Sequence, residues 1–423
     1  MWLKAGLEAA GRSAVHETVE HLTRGLIDLQ QLPEEQDCEP LELQLQTSLA
    51  PAQMAAFGWA APIVESTCLR AIQLADRMNI EEHRFALLWG LWSNQFVAGQ
   101  LKRALDSANE LQIMAQDSGS TMHAIAAHNA SSYTHFYRGE YSLAIEYADK
   151  GLSLFAKDIE AQLCLALQSA PTVHILSARS NALWMLGRQQ EAYEGMEKME
   201  ELARSLNHPP SLAAALCYLC FFHYYDQNWN VVLAAASEAL AISMAEGYSL
   251  WHACASLYKA ASELALNPHK TNPSLVVEAA MLFRETGSLV TDPSTTTIIM
   301  TAHAQEGKLD DAIAQSERGL SSAREGHVKV VVSEIYRQRG ELLAAHGRHQ
   351  EADQAFQNAL DAARAQAAIS LELRALISLM KHRHPSGIQP EVEGEMRQIL
   401  NKIQPASQSL DMSAAHSLLA RLA

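Results

Sequence analysis

The sequence predicts an all-α fold, a solenoid built from antiparallel helix pairs. Turn residues are scarce, because the 423 residues include 20 glycines and 13 prolines, whereas these two types average roughly 12% of a chain. Apolar residues recur at helical spacing, as in Ala144, Ile145, Ala148 and Leu152. The glycines are also periodic. An all-β chain, which needs turn residues about every 8–12 positions, is therefore disfavoured.

Two sets of glycines define a repeat of about 40 residues. The turn set comprises Gly99, Gly139, Gly187, Gly307 and Gly347. The stop set, about 20 residues later, comprises Gly119, Gly247, Gly287 and Gly326, with His208-Pro209-Pro210 at one missing position. Glycine suits both places because it adopts the left-handed conformation that ends a helix. Each unit is therefore predicted to run helix, glycine turn, helix, glycine stop.

Small residues follow the turn glycines at fixed distances. Five positions after each turn glycine stands an alanine: Ala104, Ala144, Ala192, Ala312 and Ala352. Seven positions further on, Gly151, Gly319 and Ala359 are also small. Residues seven apart lie on one face of a helix, so a small pair lets the partner helix approach closely. We expect Ala144 and Ala312 to be almost fully buried.

This pattern of glycine, alanine and small residue resembles the tetratricopeptide repeat, although that family's usual unit is about 34 residues long. The resemblance implies a right-handed superhelix (α-solenoid) of about ten antiparallel helix pairs with a ~40-residue period. In such arrays the first helix of each unit lines the concave face, where a ligand or partner binds.

A second resemblance covers residues 2 to about 360. Six blocks occur in the order of a bacterial helical-repeat region, which lies at the C-terminus of proteins that carry a class III nucleotide cyclase domain and a predicted signal-transduction ATPase. The blocks are residues 2–6, 14–26, 58–65, 88–92, 182–187 and 208–213. The sequence departs from that pattern at Gln168–Pro171 and Pro268–Pro273. The resemblance implies a bacterial signalling role, and residues 2–25 would join the array to an upstream ATPase.

The repeat divides the chain into three expected parts. Residues 1–57 form N-terminal helices, 58–364 the repeat array, and 365–423 C-terminal capping helices. The expected turns lie near residues 58, 99, 139, 187, 228, 268, 307 and 347. Eight extra residues between Gly139 and Gly187 are expected to lengthen the loop or helix around Asp158 to Pro171. Each unit buries its apolar face against neighbours, so one continuous superhelix is expected.

Charge and hydropathy limit the partners. The net charge of −16 opposes binding to nucleic-acid phosphates or an anionic membrane surface. The longest nearly continuous apolar stretch, Leu212 to Phe222, has about half of the ~20 residues that span a bilayer. Lys4 and Glu8 lie where a signal peptide would be apolar. The sequence therefore predicts a soluble cytoplasmic chain without a nucleic-acid or membrane partner.

No motif for nucleotide binding or nucleophilic catalysis occurs in the sequence. The Gly307-Lys308 pair is followed by Leu309 and lacks the upstream glycine of a phosphate-binding loop. A Gly-x-Ser-x-Gly motif is absent from the sequence. We therefore expect that the chain is not an enzyme and uses no cofactor.

Two groups of potential metal ligands are better explained as structural residues. His16 and His21 are five residues apart, whereas chelation by one helix needs a spacing of about four. Cys217, Cys220 and His223 share a helical stripe, but their apolar flanks indicate a buried helix. No metal site is predicted.

The predicted function depends on the concave surface. Its candidate partner-binding residues are His128, Tyr133, Arg179, His223 and Tyr224. The leading hypothesis is a non-catalytic interaction or sensor module whose partner is a protein, either its own or a partner's cyclase or ATPase domains, or a peptide in the groove. The alternative is a repeat domain that senses a small-molecule effector in a bacterial signalling or transcription regulator. If the five residues line the groove, alanine at Tyr133 or Arg179 weakens binding by at least ~1 kcal/mol; if they pack between helices, the same changes lower stability instead.

Overall fold

The computed structural model describes residues 1–12, 14–32, 38–80, 83–167, 169–383, 390–404 and 409–421. Within these ranges the chain forms twenty-two α-helices and a short 3-10 turn at Leu289–Thr291. The β contact found in this part of the chain is one isolated bridge between Arg188 and Gln404. The predicted all-α fold is confirmed.

The helices follow one another as ten pairs, with α9 and α22 outside the pairing. In chain order they are α1 (Trp2–Gly11), α2 (Val15–Leu29), α3 (Glu39–Phe57), α4 (Pro62–Met78), α5 (Arg84–Val97), α6 (Leu101–Ser118), α7 (Thr121–Tyr137), α8 (Tyr141–Ser153), α9 (Lys157–Leu167), α10 (Pro171–Met185), α11 (Gln189–Ser205), α12 (Pro209–Tyr225), α13 (Trp229–Glu246), α14 (Ser249–Leu266), α15 (Ser274–Glu285), α16 (Asp292–Gln305), α17 (Leu309–Gly326), α18 (Val332–Ala345), α19 (His349–Ala365), α20 (Ile369–Arg383), α21 (Pro390–Leu400) and α22 (Leu410–Ala420). The first helix of each pair packs on its own second helix and on the first helix of the next pair, as in an α-solenoid.

The residues that end the second helices keep a 40-residue period even where they are not glycine. The stop residues with positive φ are Asn79, Gly119, Asn207, Gly247, Gly287, His327 and Ala367. The interval from Gly119 to Asn207 is longer because α9 is inserted there, which accounts for the eight extra residues in the sequence. One assignment from the sequence was wrong. Gly326 is the last residue of α17, and His327 carries the left-handed backbone.

The small-residue pattern marks close helix contacts, as predicted. Ala144 and Ala312 are fully buried. A Cβ atom on Gly151 would lie 2.7 Å from Cδ1 of Ile175 on α10, so α8 and α10 approach too closely for a larger residue. Gly319 on α17 is in similar contact with Thr296 on α16.

The superhelix brings the two halves of the chain together. Tyr141 Oη donates a hydrogen bond of 3.1 Å to the Val330 carbonyl, and Ser370 Oγ donates one of 2.5 Å to the Trp184 carbonyl. These partners are 189 and 186 residues apart in sequence. The repeat pattern predicts contacts between adjacent units but not these contacts between successive superhelical turns.

The core runs along the array and also fills much of its interior. One apolar cluster extends from Ala50 to Leu371, and a second extends from Met300 to Leu419. Most residues of the first helices α7, α10, α12, α16 and α20 are buried. Among the helices described, none combines the length and apolarity that crossing a membrane requires.

Candidate binding groove

A groove of about 640 Å³ opens where the first helices of the C-terminal half converge. We call it the central groove. Its walls come mainly from α12, α14, α16, α18, α20 and α22, with Trp229 from the start of α13 and Val276 from α15. The lining residues include Tyr224, Leu264, Thr301, Glu334, Arg337, Gln338, Glu341, Arg374, Lys381 and Asp411. The volume lies within the range of roughly 300–1,000 Å³ that is usual for ligand pockets.

Aromatic rings form one wall of the central groove. Tyr224, at the end of α12, packs edge-on against Trp229 and Tyr258, with ring centroids 5.4 and 5.9 Å away. Burial raises the pKa of the Tyr224 phenol, so the hydroxyl stays protonated near neutral pH. This wall therefore offers apolar ring surface together with a neutral hydroxyl group.

The facing wall carries an ion-pair network on α18 in which Glu334 is buried, Arg337 is half-buried and Glu341 is exposed. Arg337 donates to Glu334 at 2.6 and 2.9 Å and to Glu341 at 2.6 Å. Burial alone would raise the pKa of Glu334, but the Arg337 guanidinium holds it below its ordinary value. Arg337 also donates to Ser378 on α20 at 3.1 Å, so the network joins two first helices. The network fixes these charged side chains before any ligand arrives.

A second buried arginine joins three helices. Arg374 on α20 donates to Oδ2 of Asp411 on α22 at 2.7 Å and also to the carbonyl oxygen of Tyr225 at the end of α12. The Arg374 side chain is 7% exposed. Burial would lower its pKa, but the carboxylates of Asp411 and Glu334 raise it, so Arg374 remains charged.

Two polar groups in the groove are available to a ligand. Lys381 on α20 is exposed and forms no ion pair with any described residue. The side-chain oxygen Oε1 of Gln338 is buried without a hydrogen-bond partner in the described part of the chain. The groove can therefore supply a positive charge and a hydrogen-bond acceptor beside its aromatic wall.

The structure brings one of the five predicted site residues, Tyr224, into the central groove. His128 on α7 contacts α6, with its Nδ1 3.1 Å from Nε2 of Gln112. Burial, with a smaller effect of Lys150, lowers the pKa of His128 to about 4. Arg179 pairs with Asp149 of α8 at 2.6 Å.

Tyr133 and His223 are buried between helices. Tyr133 is 6% exposed and contacts Phe96, His174 and Tyr218. It lines a separate cavity of about 20 Å³, which is room for about one water molecule.

His223 packs against Tyr193 of α11, and its Nδ1 atom has no hydrogen-bond partner among the described residues. Burial lowers its pKa to about 4. The structure therefore does not gather the five predicted residues into one site, and their role in partner binding remains a prediction.

Sequence reasoning missed Glu334, Arg337, Arg374 and Asp411. One signal was available, because the first helices α10, α12 and α16 carry few charges whereas α18 carries several. A charge on a helix that is otherwise buried needs a partner, so it marks a position of interest. The pairing of Arg374 with Asp411 has no such signal, since spacing within one unit does not show which side chains of neighbouring units meet.

The potential metal ligands Cys217, Cys220 and His223 are buried residues of α12. All six cysteines are free thiols. Burial raises the pKa of the Cys220 thiol well above its ordinary value. Among the described residues, no group of three or more His, Cys, Asp or Glu side chains is placed to hold a metal ion.

No protein-family model matches the sequence. A curated protein of Rhizobium meliloti (strain 1021), described as uncharacterized, is 21% identical over 385 residues, which are 90% of this chain and 37% of that protein. The chain thus spans little more than a third of the length of this relative.

Solved structures share the architecture at low identity. A Rap protein complexed with Competence and Sporulation Factor has a TM-score of 0.55 and 13% identity, with 86% of this chain and 97% of that chain covered. The apo form of the quorum sensor NprR from B. thuringiensis has a TM-score of 0.48 and 12% identity, with 85% and 97% covered. The likeness to the Rap protein shows the fold of this chain, a tetratricopeptide-like α-solenoid.

Proposed function

We propose that this chain is a non-catalytic repeat module that binds a segment of a protein partner in the central groove and regulates catalytic domains attached to it or bound by it. The observation that carries the proposal is the groove itself, where an aromatic wall faces fixed charges and where Lys381 and Gln338 retain unused bonding capacity. Aromatic and arginine side chains contribute much of the contact energy at protein interfaces.

One comparison supports a binding role, and a second supports attachment to a larger protein. The Rap protein, which has the same fold, is complexed with Competence and Sporulation Factor. The relative from Rhizobium meliloti is much longer than this chain, in keeping with a repeat region that serves a larger protein. The resemblance to the C-terminal region of cyclase and ATPase proteins identifies those domains as the first partners to test. Residues 2–25 would then connect the array to them.

The net charge of −16 favours a protein partner over nucleic acid or an anionic membrane. A partner segment that contacts Lys381 would meet a cation that forms no ion pair with any described residue. We therefore expect binding to depend on that charge.

The test compares three full-length chains. Lys381→Glu changes the groove charge, and Lys102→Glu makes the same charge change on α6, outside the groove. Gln338→Ala removes the unpartnered oxygen Oε1, together with the 3.4 Å hydrogen bond from the same amide to Glu334. Binding to purified class III cyclase and signal-transduction ATPase domains is measured by titration calorimetry. The two groove variants should bind at least about tenfold more weakly, a loss of ~1.4 kcal/mol, and Lys102→Glu should bind like wild type. Equal affinities for all chains would contradict the proposal.

A small-molecule effector is the second candidate, because a groove of about 640 Å³ also suits a small ligand. A panel of metabolites tested by thermal unfolding separates the two candidates. A ligand present at about 100 times its dissociation constant should stabilise the fold by ~2.7 kcal/mol. The stabilisation should be lost in Gln338→Ala if the ligand occupies the groove.

A further inference from the structure

The last described helix, α22, forms part of the groove wall. Leu410, Asp411 and Ala414 face the groove, whereas Ala415 and Leu418 are buried in the C-terminal apolar cluster. One helix therefore binds the core with one face and closes the groove with another. Its polar attachment in the groove is the 2.7 Å ion pair between Asp411 and Arg374.

The charges in the groove balance only while Asp411 is present. Glu334 and Glu341 pair with Arg337, and Asp411 pairs with Arg374. Lys381 is left without an ion pair among the described residues. Without Asp411 the groove would hold three cations, Arg337, Arg374 and Lys381, against two carboxylates. A locally cationic groove is notable in a protein whose net charge is −16.

Arg374 restricts what can replace α22. A buried guanidinium that loses its carboxylate partner is strongly destabilising. Any segment that displaces α22 must therefore bring a carboxylate to the same place. Asp411 also lies in the first turn of its helix, where a negative charge interacts favourably with the helix dipole.

We propose that α22 is a displaceable wall of the central groove, and that the partner replaces it with a helical segment that has an aspartate or glutamate in its first turn and an apolar face behind it. This inference rests on the proposed function, because it names the chemistry of the partner and the regulation of the same groove. A tethered segment competes at an effective concentration in the millimolar range. The strength of the Asp411–Arg374 contact therefore sets how readily the partner binds.

The experiment uses full-length chains and a labelled synthetic peptide of residues 409–421 as the probe. Asp411→Asn removes the internal carboxylate. The matched control is Asp353→Asn. Asp353 on α19 accepts a 2.9 Å hydrogen bond from Arg383, which lies on α20 as Arg374 does, and neither Asp353 nor Arg383 lines the groove. The Asp411→Asn chain should bind the peptide at least tenfold more tightly than wild type or the control. A peptide with asparagine in place of the aspartate should bind at least tenfold more weakly than the native peptide.

A second variant, Leu418→Asp, loosens α22 from the core without changing Arg374, and it should also increase peptide binding. Hydrogen exchange in α22 should be faster in both variants than in wild type. Unchanged peptide affinity in both variants would overturn the proposal that α22 is displaceable, and equal binding of the two peptides would overturn the role of Arg374. If peptide binding behaves as expected while Lys381→Glu leaves the affinity for the protein partner unchanged, the role of α22 is supported and the proposed partner binding is contradicted.

Discussion

The phenol of Tyr141 donates a 3.1 Å hydrogen bond to the backbone carbonyl of Val330, 189 residues further along the chain. Beside it, the Lys329 N–H donates a 2.8 Å hydrogen bond to the carbonyl oxygen of Tyr137. Tyr141 begins α8, and Val330 precedes α18, so these bonds connect two successive turns of the superhelix. The Tyr141 hydrogen bond is buried, so its loss should change the free energy of unfolding by a measurable amount.

Replacing Tyr141 by phenylalanine should lower the free energy of unfolding by about 1–2 kcal/mol, because a buried carbonyl loses one donor. Tyr147→Phe on the same helix is the control, since Tyr147 makes ring contacts but no hydroxyl bond to the second superhelical turn. It should change stability by less than about 0.5 kcal/mol. Urea unfolding followed by circular dichroism measures both. Equal effects of the two substitutions would mean that the hydrogen bond from Tyr141 to the Val330 carbonyl contributes nothing to stability.

Gly326 should tolerate alanine poorly despite its helical position. A Cβ atom there would lie 2.6 Å from the carbonyl oxygen of Gly99, in the neighbouring superhelical turn. Gly326→Ala should therefore destabilise the fold by about 1–3 kcal/mol. At Gly394 in α21, nothing lies within 4 Å of an added Cβ. Gly394→Ala should instead stabilise by about 0.5–1 kcal/mol through helix propensity, and a gain in melting temperature from both substitutions would contradict the close approach.

The local architecture could be predicted from the sequence because it depends on spacing within one unit. Gly139 and Gly187 have the positive φ angles that the turns require, and Ala144 and Ala312 have the predicted burial. The stop residues Asn79, Asn207, His327 and Ala367 could not be found in this way. Each adopts positive φ without being glycine. A search for glycines therefore misses them, and only the 40-residue period indicates where they lie.

The central groove could not be predicted because it depends on how far the superhelix winds. Arg374 meets Tyr225 and Asp411 across different units, at sequence separations of 149 and 37 residues. The position of a residue in a first helix places it toward the interior, but it does not say whether the interior is filled or open. At Tyr133 the interior is filled by other rings, and at Tyr224 it is open.

Substitution of Ala144 or Ala312 by leucine should cost about 1–3 kcal/mol, because both side chains are fully buried at helix contacts and the extra methylenes must displace neighbours. Ser142→Leu, at an exposed position of α8, is the control and should change the free energy of unfolding by less than about 0.5 kcal/mol. Thermal unfolding of the three variants provides the measurement. An unchanged melting temperature for Ala144→Leu would remove the argument that small residues set the helix spacing.

His223 should make the fold less stable in acid. Its pKa in the folded state is lowered to about 4 by burial, whereas an unfolded histidine has a pKa of about 6.5. Folding therefore favours the neutral imidazole. The contribution of His223 to the free energy of unfolding is complete above about pH 6.5 and is lost as the pH falls toward 4.

Between pH 7.5 and pH 5, the free energy of unfolding should fall by about 1–2 kcal/mol less in His223→Gln than in wild type. The same substitution at His269, in the exposed loop before α15, should leave the loss as in wild type. Urea unfolding at the two pH values tests this, and an identical loss in His223→Gln and wild type would show that His223 does not titrate with folding.

The last prediction separates packing residues from groove residues. Tyr133 is surrounded by Phe96, His174 and Tyr218, so Tyr133→Ala should destabilise the fold by about 3–5 kcal/mol and leave the affinity of the folded fraction for the partner unchanged. Tyr224→Ala should weaken that affinity at least about tenfold, because its ring lines the groove beside Trp229. Partner titration and circular dichroism on the same samples give the affinity per folded molecule. If Tyr133→Ala weakened that affinity while Tyr224→Ala did not, the binding site would lie at the small cavity beside Tyr133 and Tyr218, and the central groove would lose its assigned role.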